Sequence, residues 1–248
     1  MQTSYNFDME IAQAGLKADN GFHNVLTYRA TEAIPFGSGL VQGDIDKDAR
    51  LPLSNVAVIT FDADFVTSNS ITLEVNGEEV GPVVFDTDQE TTIEALAAAI
   101  DALDDIDAEV TDAREITVKG GDMAIEIDDI EITGGVSQAD SEIEYKSGDF
   151  FVGVALFDQG FMQDLDGKVL YEKKDPVSVL TRGRVYVLAE QDIKAGDPVF
   201  VRFMVDGDKV RGGFRKDDDD GKAMLVDRAR YLKDVDEGGF AVVEINLP

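Results

Sequence analysis

Two aspartate-rich segments are the clearest candidates for a chemical function in this sequence, and that function would be calcium binding. The first is DDDDG at residues 217–221. An EF-hand loop needs oxygen ligands at positions 1, 3 and 5 and a glycine at position 6. With Gly221 at position 6, Asp218 and Asp220 fall at positions 3 and 5, but Lys216 occupies position 1. A cation there opposes the motif, so we predict a solvated turn and no dedicated metal site. Loose calcium binding at Asp218 and Asp220 is the alternative.

The second segment, DIDKDA at residues 44–49, has three aspartates in step. Ala49 stands where the loop needs its glycine, and Asn55 stands where it needs the closing glutamate. A solvated turn is again the prediction.

Enzyme motifs are poorly represented. The glycines of FGSGLVQG, residues 36–43, come close to a dinucleotide fingerprint, but the third glycine is one residue late and no strand-to-helix context follows. These glycines are better explained by a bend in a strand. His23 is the single histidine, and no G-x-S-x-G segment offers it a nucleophile. We therefore predict no enzymatic activity and no cofactor.

The composition excludes several classes of partner. The formal charge of −29 on 248 residues would repel phosphate backbones and anionic lipid surfaces. The absence of cysteine excludes disulfides and Cys-type zinc sites. The amino terminus lacks the pattern of a signal peptide, and no apolar run reaches the length of a membrane span. We predict a soluble protein made in the cytoplasm that binds neither nucleic acid nor membrane.

Charge is distributed unevenly along the chain, and this indicates two domains. Residues 55–139 contain 21 acidic and 2 basic side chains, whereas the remaining residues contain 30 acidic and 20 basic ones. Turn-like, polar segments flank the acidic stretch. We therefore predict a discontinuous β-rich host domain, residues 1–54 and 141–248, and an inserted acidic α+β domain, residues 55–140.

Local patterns give the elements of both domains. In the insert, Asn76 and Gly77 predict a two-residue hairpin turn, and TTIEALAAAIDAL predicts a helix with a capping box from Thr91 to Glu94. The host domain shows many short strands broken by Gly, Asp-Gly and Asp-Pro turns. The predicted fold is mainly β, a β-sandwich or jelly-roll-like barrel with a small inserted α+β domain.

Several host segments resemble one known family. They are MQTSYNFDMEIAQAGLKAD, IPFGSGLVQGD, YEKKDPVSVLTRGRVYVL, IKAGDPVFVRF, GGFR with its aspartate-rich turn, ARYL and AVVEINLP. In pattern and order they resemble the structural cement proteins of tailed bacteriophages, also called head decoration proteins. The insert resembles a domain that recurs in phage surface and tail proteins.

The resemblance implies a structural role in the virion. Such proteins decorate the outer surface of a head built from HK97-type major capsid protein, usually as trimers, and stabilise the capsomer junctions. The expected partners are the major capsid protein and further copies of the chain itself.

Tyr5, Phe7 and Met9 alternate with polar residues near the amino terminus. We predict that this arm adds as a strand to the capsid or to an adjacent subunit. The alternative, equally favoured, is that the three side chains close the protein's own barrel.

Two functions of other classes stay open. The chain could be a phage tail or surface module that binds a host glycan or receptor through the inserted domain. It could also be a structural protein stabilised by divalent ions at its aspartate-rich loops.

Overall fold

A computed structural model describes residues 13–19, 21–43, 45–134, 139–158 and 170–248. The chain divides into two compact units, and each is described by itself. Unit 1 consists of Met1–Pro52 and Asp149–Pro248, and unit 2 of Leu53–Gly148. The predicted insert, residues 55–140, lies within unit 2, and its role as an accessory domain stays a prediction.

The described residues form one helix and a succession of mostly short strands. Before unit 2 the chain forms β1 (Asn24–Ala30), β2 (Ile34–Pro35), β3 (Gly39–Gln42) and β4 (Asp48–Arg50). Unit 2 contains β5 (Val56–Phe61), β6 (Ser70–Val75), β7 (Glu78–Val84), α1 (Gln89–Asp101), β8 (Asp107–Asp112), β9 (Glu115–Lys119), β10 (Ile127–Thr133) and β11 (Ser141–Lys146). After unit 2 come β12 (Phe151–Ala155), β13 (Leu170–Tyr171), β14 (Pro176–Leu188), β15 (Phe200–Arg202), β16 (Phe214–Arg215), β17 (Ala223–Leu225), β18 (Ala229–Tyr231) and β19 (Phe240–Asn246).

Unit 1 contains a closed barrel. Strands β1, β4, β3, β12 and β14 are hydrogen-bonded in that order, and β14 pairs back with β1 to close the ring. Closure removes the open edges that would otherwise invite aggregation. Gly153 is required at the pairing of β12 with β14, because its φ is +142° and a Cβ there would lie 2.3 Å from the Leu180 carbonyl oxygen.

β14 is long enough to pair with different strands along its length. Its first half pairs with β1, and its second half pairs with β19, which in turn pairs with the edge strand β18. Apart from Gly183, its odd-numbered residues are buried, and apart from the buried Leu180, its even-numbered residues are exposed or half-buried. This period of two places one set of side chains in the core and the other on an outer face.

The core of unit 1 consists of aliphatic and aromatic side chains from both halves of the chain. The fully buried ones include Ile34, Leu40, Val154, Val179, Val185, Val187, Phe214, Tyr231 and Val243. Burial of such side chains contributes roughly 1.5–3 kcal/mol each relative to exposure. This core links residues near the start of the chain to those near its end, so unit 1 folds as one discontinuous body.

Unit 2 is a small α+β structure. One sheet has the order β11, β5, β9, β8, the other has the order β10, β6, β7, and α1 packs on the shared core through Ile93, Leu96 and Ile100. The predicted hairpin at Asn76 and Gly77 is confirmed, since both residues have positive φ between β6 and β7.

The start of α1 differs from the sequence prediction. Asp88 is the N-cap, and its carboxylate accepts a hydrogen bond from the Thr91 backbone N–H at 2.9 Å. The prediction that Thr91 is the cap is wrong, because an aspartate three residues earlier already caps the exposed backbone donors. The helix is therefore one turn longer at its start than the capping-box pattern indicates.

The predicted fold class is confirmed: the chain is mainly β, with a barrel and one short helix. Within the described part of the chain, no helix has the length and apolar character needed to cross a membrane.

Candidate functional site

The aspartate-rich segment forms the turn between β16 and β17, as predicted. The Asp218 carbonyl oxygen accepts hydrogen bonds from the backbone N–H groups of Lys222 and Ala223, at 2.8 and 2.9 Å. Asp219, Asp220 and Gly221 all have positive φ. Aspartate and glycine tolerate this left-handed conformation better than most residues, which explains why they form the turn.

Two of the four aspartates bind arginines in the protein interior. Asp219 Oδ2 lies 2.5 Å from Arg202 Nη2, and Asp219 Oδ1 lies 2.7 Å from Arg215 Nη2. Asp217 accepts hydrogen bonds from both Nε and Nη2 of Arg215. Asp218 and Asp220 are exposed. The expectation of four solvated aspartates is thus wrong for Asp219, because the turn folds back over two buried cations, whereas Asp217 pairs with Arg215 while its side chain stays 48% exposed.

Glu190 completes this group from the other side. Its oxygens Oε2 and Oε1 accept hydrogen bonds from Arg202 Nε at 2.9 and 3.1 Å. The Oε2 atom also lies 3.4 Å from Arg215 Nη1. Arg202 is fully buried, with a side-chain exposure of 0%. We call Glu190, Arg202, Arg215, Asp217 and Asp219 the buried arginine cluster. Buried charges are costly unless they are paired and hydrogen-bonded, and both guanidinium groups meet that condition here.

Electrostatics explain the role of the two inner aspartates. Burial alone would raise the pKa of Asp219, but the hydrogen bond from Arg202 and the charges of Arg215 and Arg202 hold that pKa below its ordinary value. Burial would also raise the pKa of Asp217, but the hydrogen bonds from Arg215 and Gln191 hold that pKa below its ordinary value. Both carboxylates therefore stay ionised at neutral pH and act as counterions.

This arrangement bears on the calcium hypothesis. Asp217 and Asp219 already bind arginines, so a cation would have to rely on Asp218 and Asp220. In the described ranges no group of three or more acidic or histidine side chains is arranged to hold a metal ion. The loose site at Asp218 and Asp220 stays a prediction.

The predicted solvated turn at DIDKDA is present at residues 45–47, but the prediction is wrong for Asp48. Asp48 lies in β4 and is buried, and its carboxylate binds Arg29 Nη2 at 2.6 Å and Arg29 Nε at 2.9 Å. Asp44 lies outside the described residues. The ion pair links β4 to its neighbour β1, so Asp48 stabilises the barrel.

The glycines of residues 36–43 allow close packing, which agrees with the predicted bend in a strand. Gly39 begins β3, and a Cβ at this position would lie 2.6 Å from the Val201 side chain. Gly37 has a φ of +77° and packs against Ala14 and Gly15. These contacts require glycine for close approach between chain segments, and the described residues that follow Phe36 and Gly37 form the strand β3 and not a helix that could hold a pyrophosphate.

Tyr5, Phe7 and Met9 lie outside the described residues, so the proposed arm stays a prediction. The chain that follows them is described. Backbone hydrogen bonds join Gly15 and Leu16 to Tyr186 at 2.8 and 2.9 Å, and Ala18 to Arg184 at 2.9 Å. This segment therefore runs alongside the second half of β14 in an antiparallel bridge.

An exposed cleft of about 470 Å³ lies on the outer face of β14 and β19. Its walls include Phe22, Arg182, Arg184 and Glu244. The sequence patterns did not predict this site. The available signal was the TRGR stretch at residues 181–184, because two arginines two positions apart on a strand project from the same face.

A second concave region, of about 300 Å³, is more apolar. Phe150, Phe151, Met224, Leu225 and Leu247 contribute to its walls. Phe150 is 65% exposed and Leu225 is 50% exposed. Isolated exposed apolar side chains are common on protein surfaces, so this groove alone does not indicate a partner.

Comparisons with known proteins point to one family. Residues 104–246, more than half of the chain, match the family described as "Structural cement protein (E217 gp24/Pam3 gp6)". No curated protein matches the sequence. Among solved structures, a chain from "The capsid of Myoviridae Phage XM1" is similar, with 9% sequence identity and a TM-score of 0.50. The alignment covers 99% of this chain and 97% of that chain, and at this identity it concerns the fold alone.

Proposed function

We propose a function for this chain because it belongs to the phage structural cement protein family. The family pattern matches residues 104–246, which is more than half of the chain. In this proposal it decorates the outer surface of a phage head built from HK97-type major capsid protein. There it stabilises the junctions between capsomers and works as a homotrimer. Its role is mechanical and not catalytic.

The family match carries this proposal, and two features of the molecule support it. A closed barrel with a discontinuous core is a rigid platform on which interaction surfaces keep a fixed geometry. The large negative charge of the whole chain favours solubility and keeps decorated particles apart.

The physical basis of cementing is mass action. A protein that binds only the expanded lattice stabilises that lattice by RT ln(1 + [L]/Kd). A trimer that contacts several capsomers at once gains further affinity, because its second and third contacts form at a high effective concentration. Internal DNA pressure then has to break several contacts together before capsomers separate.

The test is co-sedimentation of the purified protein with expanded, DNA-free heads of its own phage, with unexpanded proheads as the control. We expect saturable binding to expanded heads alone. The bound amount at saturation gives the copy number, and light scattering of the free protein gives its oligomeric state.

Each alternative result has a definite meaning. Binding to neither form would overturn the cementing role and favour a tail or host-surface function, which binding of residues 53–148 to host cells or polysaccharide would then support. Equal binding to proheads would contradict selectivity for the expanded lattice. A mass of one or two chains would contradict the trimer.

A further inference from the structure

The outer face of β14, β19 and β18 concentrates positive charge on a strongly acidic protein. Arg182 and Arg184 project from β14, opposite Asn246 and Glu244 of β19, and Arg230 of β18 also lies opposite Glu244. Lys233 joins the same face, since its Nζ lies 5.4 Å from the centre of the Tyr186 ring.

We call this surface the arginine face. It consists of Asp19, Phe22, Arg182, Arg184, Tyr186, Arg230, Lys233 and Glu244. Its four cations and two carboxylates give it a formal charge of +2, whereas the chain as a whole carries −29.

The cations of this face are unequally neutralised. Arg184 binds Asp19 at 2.9 Å and Glu244 at 3.0 Å, and Arg230 binds the same glutamate at 2.5 Å. Among the described residues, Arg182 makes no ion pair. Its guanidinium instead lies over the ring of Phe22, 5.3 Å from the ring centre. The face thus presents an exposed guanidinium that lines the cleft and forms no ion pair with the described residues.

Phe22 and Arg182 together have the character of an interface anchor. Phe22 is 76% exposed, the largest exposed fraction among the large apolar side chains described. A single exposed ring is common on protein surfaces, but this one lies directly against the guanidinium of Arg182 at the edge of the cleft. Aromatic and arginine side chains are enriched in protein interfaces and dominate their binding energy.

From these observations we infer that the arginine face is the surface through which the protein contacts the phage head, and that the contacted segment of the head protein carries carboxylates beside an apolar side chain. The inference rests on the proposed function and adds to it the place of contact and the chemistry of the partner. The partner's carboxylate binds the Arg182 guanidinium through two parallel hydrogen bonds, since the planar fork of arginine matches a carboxylate. The apolar side chain covers Phe22.

A protein partner fits this face better than nucleic acid. Glu244 and Asp19 lie between the arginines, where they would repel a phosphate backbone, and the net charge of the remaining surface adds long-range repulsion. Against a protein surface, the same two carboxylates contribute to specificity, because they disfavour partners whose acidic groups are wrongly placed.

The test compares two pairs of substitutions in the intact chain by co-sedimentation with expanded heads. R182E reverses the charge of the unpaired arginine, and K173E makes the same change at an exposed lysine elsewhere on unit 1. F22A removes the exposed ring, and F150A removes a comparably exposed ring at the apolar groove. We expect R182E to raise the Kd for heads at least tenfold and F22A to raise it several-fold, with K173E and F150A unchanged. Thermal unfolding of all four variants checks that they fold like the wild type.

The outcomes separate this inference from the proposed function. Wild-type binding that R182E and F22A leave unchanged would overturn the arginine face as the contact and leave the cementing role intact. If the wild type binds no heads, both are overturned. A labelled DNA duplex is included as a second probe, and binding of wild type but not R182E to that duplex, without binding to heads, would assign the face to phosphate instead.

Discussion

Unit 1 contains two groups of arginines and carboxylates that look alike in sequence and differ in structure. In the buried arginine cluster, Arg202 and Arg215 are almost fully buried, and three carboxylates surround them. On the arginine face, Arg184 and Arg230 are 45% and 65% exposed and share Glu244, while Arg182 pairs with an aromatic ring. The balance of charge and burial, and not the residue types, therefore separates a group that stabilises the fold from one that is available to a partner.

The largest expected effect comes from removing a buried arginine. R202A leaves Glu190 buried without its main counterion, and breaking a buried pair in this way typically costs about 3–5 kcal/mol of unfolding free energy. We expect R182A, on the arginine face, to change stability by no more than about 0.5 kcal/mol. Urea unfolding followed by circular dichroism measures both, and similar losses for the two variants would remove the distinction between the groups.

A finer comparison lies within the aspartate-rich turn. D219N weakens the hydrogen bonds to Arg202 and Arg215 and is expected to cost about 1–3 kcal/mol. D218N alters an exposed side chain and is expected to stay within about 0.5 kcal/mol. Urea unfolding of the pair under one set of conditions is the measurement. If D218N lowers the free energy of unfolding as much as D219N does, the whole turn is sensitive to charge and Asp219 has no special role.

The same turn predicts a dependence on pH. The pKa values of Asp217 and Asp219 are lower in the folded protein than the ordinary value of 3.8. Their contribution to stability is therefore complete above pH 3.8 and is lost as the pH falls through the folded values. We expect the stability difference between wild type and D219N to shrink between pH 7 and pH 3. A constant difference over this range would contradict the role of Asp219 as an ionised counterion.

The smallest expected effect concerns Glu244, which competes with a partner for Arg184 and Arg230. E244Q keeps the shape of the side chain but removes its charge, so both guanidinium groups become more available. If the head segment is acidic, the Kd for expanded heads should fall two- to fivefold. The stability cost should stay below about 1 kcal/mol, as for other exposed ion pairs. Weaker binding by E244Q would mean that Glu244 itself contacts the partner.

Much of the local structure could be predicted from the sequence, because it depends on neighbouring residues. The alternation of side chains and the positive φ demanded at Asn76 and Gly77 predict strands and a hairpin that the structure confirms. The start of α1 was harder to predict, since Thr91 and Asp88 are both good N-cap residues and lie only three positions apart.

Long-range pairing could not be predicted from the residues. Barrel closure depends on β1 meeting β14, about 150 positions later in the chain. The pairing of Asp219 with Arg202 was hidden for the same reason, since Arg202 lies on another segment, whereas Arg215 is only two residues from Asp217. One signal was present: Arg202 interrupts the apolar stretch VFVRFMV, and a charged residue at a core position needs a counterion from elsewhere. The aspartates next to Arg215 were the nearest candidates.

The length of β14 has a mechanical consequence. The strand belongs to the barrel through β1 and β12, and it also supports the arginine face through β19. A pull on Arg182 or Arg184 along the strand direction loads the ladders on both sides of β14 in shear, so that many hydrogen bonds resist it at once. A pull across the strand would open them one after another. The molecule is therefore expected to hold firmly against a load directed along β14 and to yield more easily to one that peels β18 and β19 away.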